Sequence, residues 1–90
     1  MNIIHIITGL ETGGAETTLY NLLCSSFGMK YNHHVISLSK IGTIGPKIRS
    51  LNVLVTALDI SGVGSAVSGM KNLRRIVREL KPNLIQGWLS

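Results

Sequence analysis

A glycine-containing loop near the start of the chain has the residue types and spacing to bind an anion. Gly9, Gly13 and Gly14 follow the mainly β-branched run of residues 3–8, and a helical pattern with Glu16 in its first turn comes next. Glycine lets the backbone approach a ligand, and a helix amino terminus offers unpaired N–H groups to an anion. The segment predicts a phosphate-binding turn at Gly13 and Gly14, with a turn that holds no ligand as the alternative. Glu16 either belongs to that site or only complements the helix dipole.

The spacing of this loop excludes two common nucleotide sites. No Gly-Lys-Ser or Gly-Lys-Thr sequence follows it, as a Walker A loop requires, and Gly9-x-x-x-Gly13-Gly14 differs from G-x-G-x-x-G. A dehydrogenase also needs an acidic residue at the end of the second strand, where this chain has Ser39 and Lys40. The loop is therefore expected to bind a diphosphate that is not a hydride-carrying dinucleotide.

The remaining reactive side chains predict neither catalysis nor metal binding. His33 and His34 are adjacent, so on an extended segment they point in opposite directions and cannot chelate one metal; we expect them at the surface or at a strand edge. His5 lies among isoleucines and is expected to be a hydrogen-bonded core histidine. Cys24 is the single cysteine, which excludes an internal disulfide and fits a reducing compartment, and a buried, inert thiol is expected. The four acidic residues are too dispersed for a catalytic pair or triad.

Hydrophobic periodicity predicts an α/β fold from alternating strands and helices. The predicted strands cover residues 2–8, 35–38, 53–58 and 84–88, and the predicted helices cover residues 14–26, 45–51 and 66–80. Pro46 suits a first helical turn, and Asn52 suits a left-handed position after that helix. The pattern indicates a Rossmann-like parallel sheet in the order 3-2-1-4, with right-handed crossovers and helices on both faces.

The last predicted helix has an apolar face and a basic face. The residues expected to pack on the sheet are Ala66, Met70, Leu73, Val77 and Leu80. The basic stripe consists of Lys71, Arg74, Arg75 and Arg78, within a chain of net charge +5. Such a stripe is either a solvated face, which we favour, or a surface that attracts an anionic membrane or an anionic carrier-linked substrate, and we predict no nucleic-acid partner. No apolar run reaches the roughly 18 residues of a membrane span and no targeting segment is evident, so a cytoplasmic location, with contact at the inner membrane face, is expected.

Several motifs along the chain together resemble a known enzyme family. They are Ile3-x-His5-Ile6-Ile7-Thr8-Gly9-Leu10-x-x-Gly13-Gly14-Ala15-Glu16, His34-Val35-Ile36-Ser37-Leu38, Gly45-Pro46, Leu51-x-Val53, the helix of residues 73–80, and Lys81-Pro82-Asn83-Leu84-Ile85-Gln86-Gly87-Trp88. This series is similar to the N-terminal portion of the family-four retaining glycosyltransferases, which have the two-domain GT-B fold. Asn83 stands where an aspartate is common in that family, and Asn52 where glycine is usual; both changes suit turns.

The resemblance implies a function and a set of binding residues. The parent enzyme would transfer a sugar from a nucleotide-sugar donor to a glycan or lipid-linked acceptor in polysaccharide or cell-envelope biosynthesis. Gly13 and Gly14 would lie at the interdomain cleft near the donor diphosphate and the acceptor, with Glu16 beside them and Trp88 on the same side. The donor is a substrate, and no resident cofactor is implied.

The resemblance also implies that part of the enzyme is missing from these 90 residues. Residues 1–90 would form a partial acceptor-side domain without the donor-binding domain, and the piece alone is expected to be inactive because half a cleft cannot stabilise a leaving diphosphate. Strand 84–88 would then be an exposed edge that favours a homodimer. The alternatives are a small nucleotide- or anion-binding module and a non-catalytic oligomerisation subunit.

Overall fold

A four-stranded parallel sheet organises the chain. The computed structural model describes residues 2–10, 14–25, 30–60 and 63–88. In chain order the elements are β1 (Asn2–Ile7), α1 (Gly14–Cys24), β2 (Asn32–Ser37), α2 (Gly45–Arg49), β3 (Leu54–Ala57), α3 (Val63–Leu80) and β4 (Leu84–Trp88). The strand order is β3-β2-β1-β4, and all three pairings are parallel. The predicted α/β class and the predicted strand order 3-2-1-4 are confirmed.

Strand β2 begins three residues before the predicted start. Asn32 pairs with Asn2, and His33 with Ile3, so β2 follows β1 along its whole length. The adjacent histidines had indicated a boundary, but the ladder includes both because β-branched neighbours and backbone pairing outweigh two polar side chains. His33 and His34 are half-buried in an interior strand, so their expected place at the surface or a strand edge was wrong.

One face of the sheet carries the main hydrophobic core. Leu19 and Leu23 of α1 and Ile48 of α2 pack there against β1, β2 and β3. The buried members of this cluster are Ile7, Leu10, Leu19, Leu23, Val35, Ile44, Ile48 and Val55. Burying such side chains is the dominant favourable contribution to folding, so α1, α2 and the first three strands form the stable part of the molecule.

Helix α3 lies over the other face and packs through a glycine. Gly69 is buried, and a Cβ built on it would lie 2.6 Å from Ile60 Cγ1, so the Ile60 side chain occupies the space that a larger residue would fill. Met70 is 51% exposed. Its predicted packing on the sheet is therefore wrong, because contact at Gly69 turns the next residue by about 100° toward solvent. Leu73, Val77 and Leu80 are half-buried, as their predicted direction requires.

Two turn predictions are confirmed. Pro46 lies in the first turn of α2, and Asn52 has a φ of 63°, in the left-handed region. The buried thiol predicted at Cys24 is wrong, since Cys24 is exposed. Leu23 faces the core, and the next residue on a helix points about 100° away from it. A hydrogen bond with Cys24 raises the pKa of the Tyr20 hydroxyl.

Candidate ligand site at the carboxyl end of β1 and β4

The sheet order places the carboxyl ends of β1 and β4 side by side at a junction. Residues after β1 lead into α1 on the core face, whereas α3 covers the opposite face before the chain enters β4 on the other side of β1. Ile7 and Trp88 are register partners at this junction. In open parallel sheets, ligands bind outside the carboxyl ends of strands where the connections diverge in this way. The junction is therefore the candidate ligand site.

Backbone hydrogen bonds fix the loop that leaves β1. Leu38 N–H donates to the Ile7 carbonyl at 2.9 Å, and Ile44 N–H donates to the Leu10 carbonyl at the same distance. Leu10 itself is fully buried. A Cβ on Gly9 would lie 2.9 Å from Ser39 Oγ, so a larger residue at this position would require the Ser39 side chain to move.

The loops after β2 and β3 form a connected layer at the same edge of the sheet. Leu58 N–H donates to the Ser37 carbonyl and Asp59 N–H to the Ser39 carbonyl, each at 2.9 Å. The buried Ser37 hydroxyl donates to the Lys40 carbonyl at 2.8 Å. These contacts hold the loops beside the junction, and the amide groups at the start of α1 take no part in them.

The predicted binding residues Gly14, Glu16 and Trp88 lie on elements that meet this edge. Gly14 is the exposed first residue of α1, and a Cβ there would meet no atom within 4 Å. Glu16 is in the first helical turn and is only 6% exposed. Trp88 ends β4 and packs against the core cluster. Gly13 and residues 11 and 12 lie outside the described residues.

A chain of three ring side chains crosses the core face of the sheet and ends at this site. Trp88 Nε1–H donates to His5 Nδ1 at 3.0 Å, and 2.8 Å separates His5 Nε2 from His33 Nδ1. The rings of His5 and His33 are stacked with centroids 5.0 Å apart. Parallel pairing explains these contacts. His5 lies two residues after Ile3, the register partner of His33, and two residues before Ile7, the register partner of Trp88. Because side chains two residues apart on a strand share a face, all three rings lie on one face of the sheet.

The chemistry of the indole determines where the protons lie in this chain. An indole nitrogen only donates, so His5 Nδ1 must accept, and the proton of the neutral imidazole lies on Nε2. His5 Nε2–H then donates to His33 Nδ1. Burial, followed by the neighbouring charge of His33, lowers the pKa of His5 to about 4. His5 is thus a neutral, hydrogen-bonded core histidine, as the sequence predicted.

Sequence reasoning missed the partnership of His5 with His33 and Trp88. Each was considered alone, and His33 was expected away from the core. The sequence did contain a signal for this partnership. The predicted order makes the strands of His33, His5 and Trp88 neighbours, and the alternation of side chains along each strand could have indicated that the three rings share a face. His34 faces the other side, where its Nε2 lies 2.8 Å from Thr56 Oγ1, and burial lowers its pKa. Its buried Nδ1 has no hydrogen-bond partner among the described residues.

Two other surfaces lie away from the junction. A cavity of about 570 Å³ opens near the amino ends of β2 and β3, and its lining includes Cys24, Tyr31 and His33. The four cationic residues Lys71, Arg74, Arg75 and Arg78 are exposed on α3. Across the described part of the chain, no three His, Cys, Asp or Glu side chains are grouped to hold a metal ion, and no helix is long and apolar enough to span a membrane.

Comparison with known proteins assigns the chain to no family. No protein-family model, no curated protein and no solved structure matches it.

Proposed function

We propose that the chain is the acceptor-side portion of a retaining glycosyltransferase of the GT-B type. In this proposal the junction of β1 and β4 binds the diphosphate-linked end of a glycan or lipid-linked acceptor, next to the nucleotide-sugar donor. The observation that carries the proposal is the sheet order β3-β2-β1-β4, which brings the open start of α1 and the end of β4 to one junction. That junction is where ligands bind in sheets of this kind.

The residues at the junction supply the interactions that a diphosphate needs. Gly14 leaves the first turn of α1 open, so an anion can approach the amide groups of the helix start without meeting a side chain. Trp88 contributes a large, partly exposed aromatic ring, a surface to which a sugar ring or a prenyl chain can bind. The resemblance in residues 3–16 and 81–88 supports the same ligand class.

The basic stripe of α3 fits a substrate that is linked to an anionic carrier. Its side chains project from the helix that leads into β4, on a surface away from the junction. Charges of one sign along a groove raise the local concentration of a ligand of opposite sign. We therefore propose peripheral contact between α3 and an anionic membrane that carries the acceptor.

Transfer itself requires groups around the leaving diphosphate that a donor-binding half would supply. The purified 90-residue chain is therefore expected to bind ligand and to transfer no sugar. Incubation with a radiolabelled nucleotide sugar and a prenyl-diphosphate sugar tests this, and labelled product above the level of a boiled control contradicts it.

Ligand binding can be followed through Trp88, the single tryptophan of the chain. A titration compares a short-chain prenyl-diphosphate sugar, UDP and inorganic pyrophosphate. We expect the prenyl-diphosphate sugar to bind at least ~10-fold more tightly than pyrophosphate, a difference of about 1.4 kcal/mol. Equal binding of UDP and pyrophosphate supports a stand-alone anion-binding module instead, and an absence of binding by all three ligands contradicts both functions.

Two glycine substitutions separate binding from stability. Gly14→Ala and Gly64→Ala both add a methyl group in open space near a helix start, so each should raise the free energy of unfolding by about 0.5–1 kcal/mol. Only Gly14→Ala lies at the proposed site, and we expect it to weaken binding of the prenyl-diphosphate sugar about 10-fold or more. Equal affinity of the two variants contradicts the placement of the ligand at α1.

A further inference from the structure

We propose that His5 is a positioning residue for Trp88, and that Trp88, His5 and His33 form a tautomer lock that holds the indole at the β1–β4 junction only while both imidazoles are neutral. The lock follows from two contacts between ring nitrogens and is independent of any ligand. Its consequence for ligand binding rests on the proposed function.

When both imidazoles are neutral, the chain of three rings has one proton arrangement. The indole Nε1–H cannot accept a hydrogen bond, which leaves His5 Nδ1 without a proton, and His5 Nε2–H then fixes His33 Nδ1 as an acceptor. The two hydrogen bonds run in the same direction, from Trp88 to His5 to His33. Neither can be reversed while the indole is part of the chain.

A proton added to either His5 or His33 breaks this arrangement. Protonation of His5 puts N–H groups on both of its nitrogens, so its Nδ1–H faces the indole N–H. Protonation of His33 Nδ1 places two N–H groups opposite each other across the 2.8 Å contact. If His5 then moves its own proton to Nδ1, the conflict passes to Trp88. Every protonated form therefore loses a hydrogen bond and acquires a repulsive contact.

Several titratable or charged groups lie on the elements packed around His5. On β2 the titratable neighbour is His33, whose charge lowers the pKa of His5 after the larger effect of burial. The register partner on β4 is the neutral Gln86. Helix α1, over the same face, carries Glu16, Tyr20 and Cys24, and helix α2 carries the exposed Lys47 and Arg49. None of these five contributes to the pKa of His5, so among the described residues no carboxylate compensates a charge on the imidazole.

The hydrogen bond to His5 fixes the orientation of the Trp88 indole. The other four residues of β4 are exposed, and Trp88 is the one residue of the strand that is half-buried. A strand paired on one side has backbone hydrogen bonds to β1 alone within the described sheet. Loss of the His5 contact therefore leaves the indole held by its packing against the core cluster alone, so the ring can change its orientation without unfolding of the core on the other side of β1.

Nitrogen-15 NMR of the ligand-free 90-residue chain tests the lock directly. At pH 7.5 we expect His5 to be neutral with its proton on Nε2, and the indole N–H proton of Trp88 to resonate at the low field of a hydrogen-bonded group. As the pH falls from 6.5 toward 4, the indole resonance should move to the position of a free indole while far-ultraviolet circular dichroism stays native. A neutral His5 with its proton on Nδ1 overturns the proposal.

Two substitutions at His5 provide a matched pair. In His5→Asn the amide oxygen lies where Nδ1 was, so it can accept from Trp88 and cannot titrate. In His5→Gln the amide nitrogen lies where Nε2 was, so it can donate to His33 and leaves the indole without its acceptor. We expect the indole resonance to be locked and independent of pH in His5→Asn, and free at every pH in His5→Gln.

A third variant distinguishes the lock from a purely structural role. His33→Asn keeps an acceptor for His5 Nε2–H and removes the second group whose protonation breaks the lock, so the indole transition should follow the titration of His5 alone. An indole transition in His33→Asn that does not follow the titration of His5, or a transition in His5→Asn equal to that of the wild type, overturns the proposal. If a His5 variant does not fold, the tautomer of His5 in the wild-type chain still tests the proposal.

Titration with the prenyl-diphosphate sugar then separates this proposal from the proposed function. If the indole transition occurs and affinity falls about 2-fold between pH 7 and pH 4 in the wild type but not in His5→Asn, the lock controls the ligand site. If the transition occurs and no ligand binds at any pH, the lock is supported and the proposed function fails. Binding with no indole transition supports the function and overturns the lock.

Discussion

The two sides of the central strand β1 differ in how completely their apolar residues are covered. On the side of β2, residues such as Val35 and Ile36 are fully buried, and α1 and α2 close one face of the sheet. On the side of β4, Leu84 is 49% exposed and Ile85 is 47% exposed, and Met70 of α3 is 51% exposed. The first side is closely packed except at its outer edge, where Leu54 of β3 is 65% exposed, whereas the second presents apolar surface on the strand that pairs with β1 itself.

The candidate ligand site lies on the boundary between these two sides. The closed side holds the backbone of the β1 loop in place, and the open side contributes Trp88 through a hydrogen bond to His5. Binding residues are commonly presented by a rigid scaffold next to a less stable element. The difference between the two sides is therefore expected to appear in stability, pH dependence, association and surface binding, in that order of size.

Truncation of a core leucine should show the largest contrast. Leu19→Ala removes a fully buried side chain from the closed core and should lower the free energy of unfolding by about 2–5 kcal/mol. Met70→Ala, on the exposed part of α3, should change it by no more than about 0.5 kcal/mol. Urea unfolding followed by circular dichroism measures both. Similar losses in the two variants would show that α3 belongs to the same cooperative core.

Acidification should destabilise the fold through His5. The folded-state pKa of about 4 lies below the ordinary value of 6.5, so the unfolded chain binds more protons between these values. Neutral His5 therefore makes its full contribution to the free energy of unfolding above pH 6.5. That contribution is lost as the pH falls toward 4, and about 1–2 kcal/mol of it is lost by pH 5. The lowered pKa of His34 acts in the same direction.

Urea midpoints measured from pH 8 to pH 4.5 test this pH dependence. His5→Asn is the control, because it keeps an acceptor for Trp88 and has no titrating ring. Its stability should fall less steeply over the same range, and the remaining slope reports the other ionisable groups. Equal slopes for His5→Asn and the wild type would contradict the assignment of the acid loss to His5.

Association through the open edge should depend on β4 and not on β3. We propose that two copies pair through the exposed edge of β4, and Ile85→Lys should weaken dimerisation at least ~10-fold because a charge at an exposed strand edge opposes pairing. Leu54→Lys is the matched control, since Leu54 is 65% exposed on β3, the other edge strand. Light scattering at micromolar concentrations measures the mass of each variant. A monomeric wild type contradicts the proposed dimer.

Membrane contact by the basic stripe should give the smallest effect per residue. Arg74→Gln removes one exposed charge from α3 and should weaken binding to vesicles of phosphatidylglycerol and phosphatidylcholine by about 1 kcal/mol, or roughly 5-fold. Lys47→Gln on α2 removes the same charge away from the stripe and should have less effect. Sedimentation with vesicles at 0.1 M salt measures both. Equal losses in the two variants would show that net charge alone drives binding.

The sequence predicted the fold more closely than the packing of individual side chains. Alternating apolar strands and helices fixed the α/β class and, with the connection rules, the strand order. Cys24 and Met70 were misplaced because helical periodicity alone does not determine the rotation of a helix against a sheet. Their neighbours Leu23 and Gly69 make the closest contacts, and this choice depends on which side chains the opposing surface accepts.

The sequence by itself determined that this chain forms a parallel α/β sheet with a glycine-containing turn after its first strand, because both features follow from local pattern and backbone preference. Only the tertiary structure decided that His5, His33 and Trp88 act together, since residues up to 83 positions apart meet through strand register. It also decided which apolar residues stay exposed, because burial depends on how many neighbours surround a strand. The side of β4 has fewer neighbours than the side of β2, and the candidate site lies where the two sides meet.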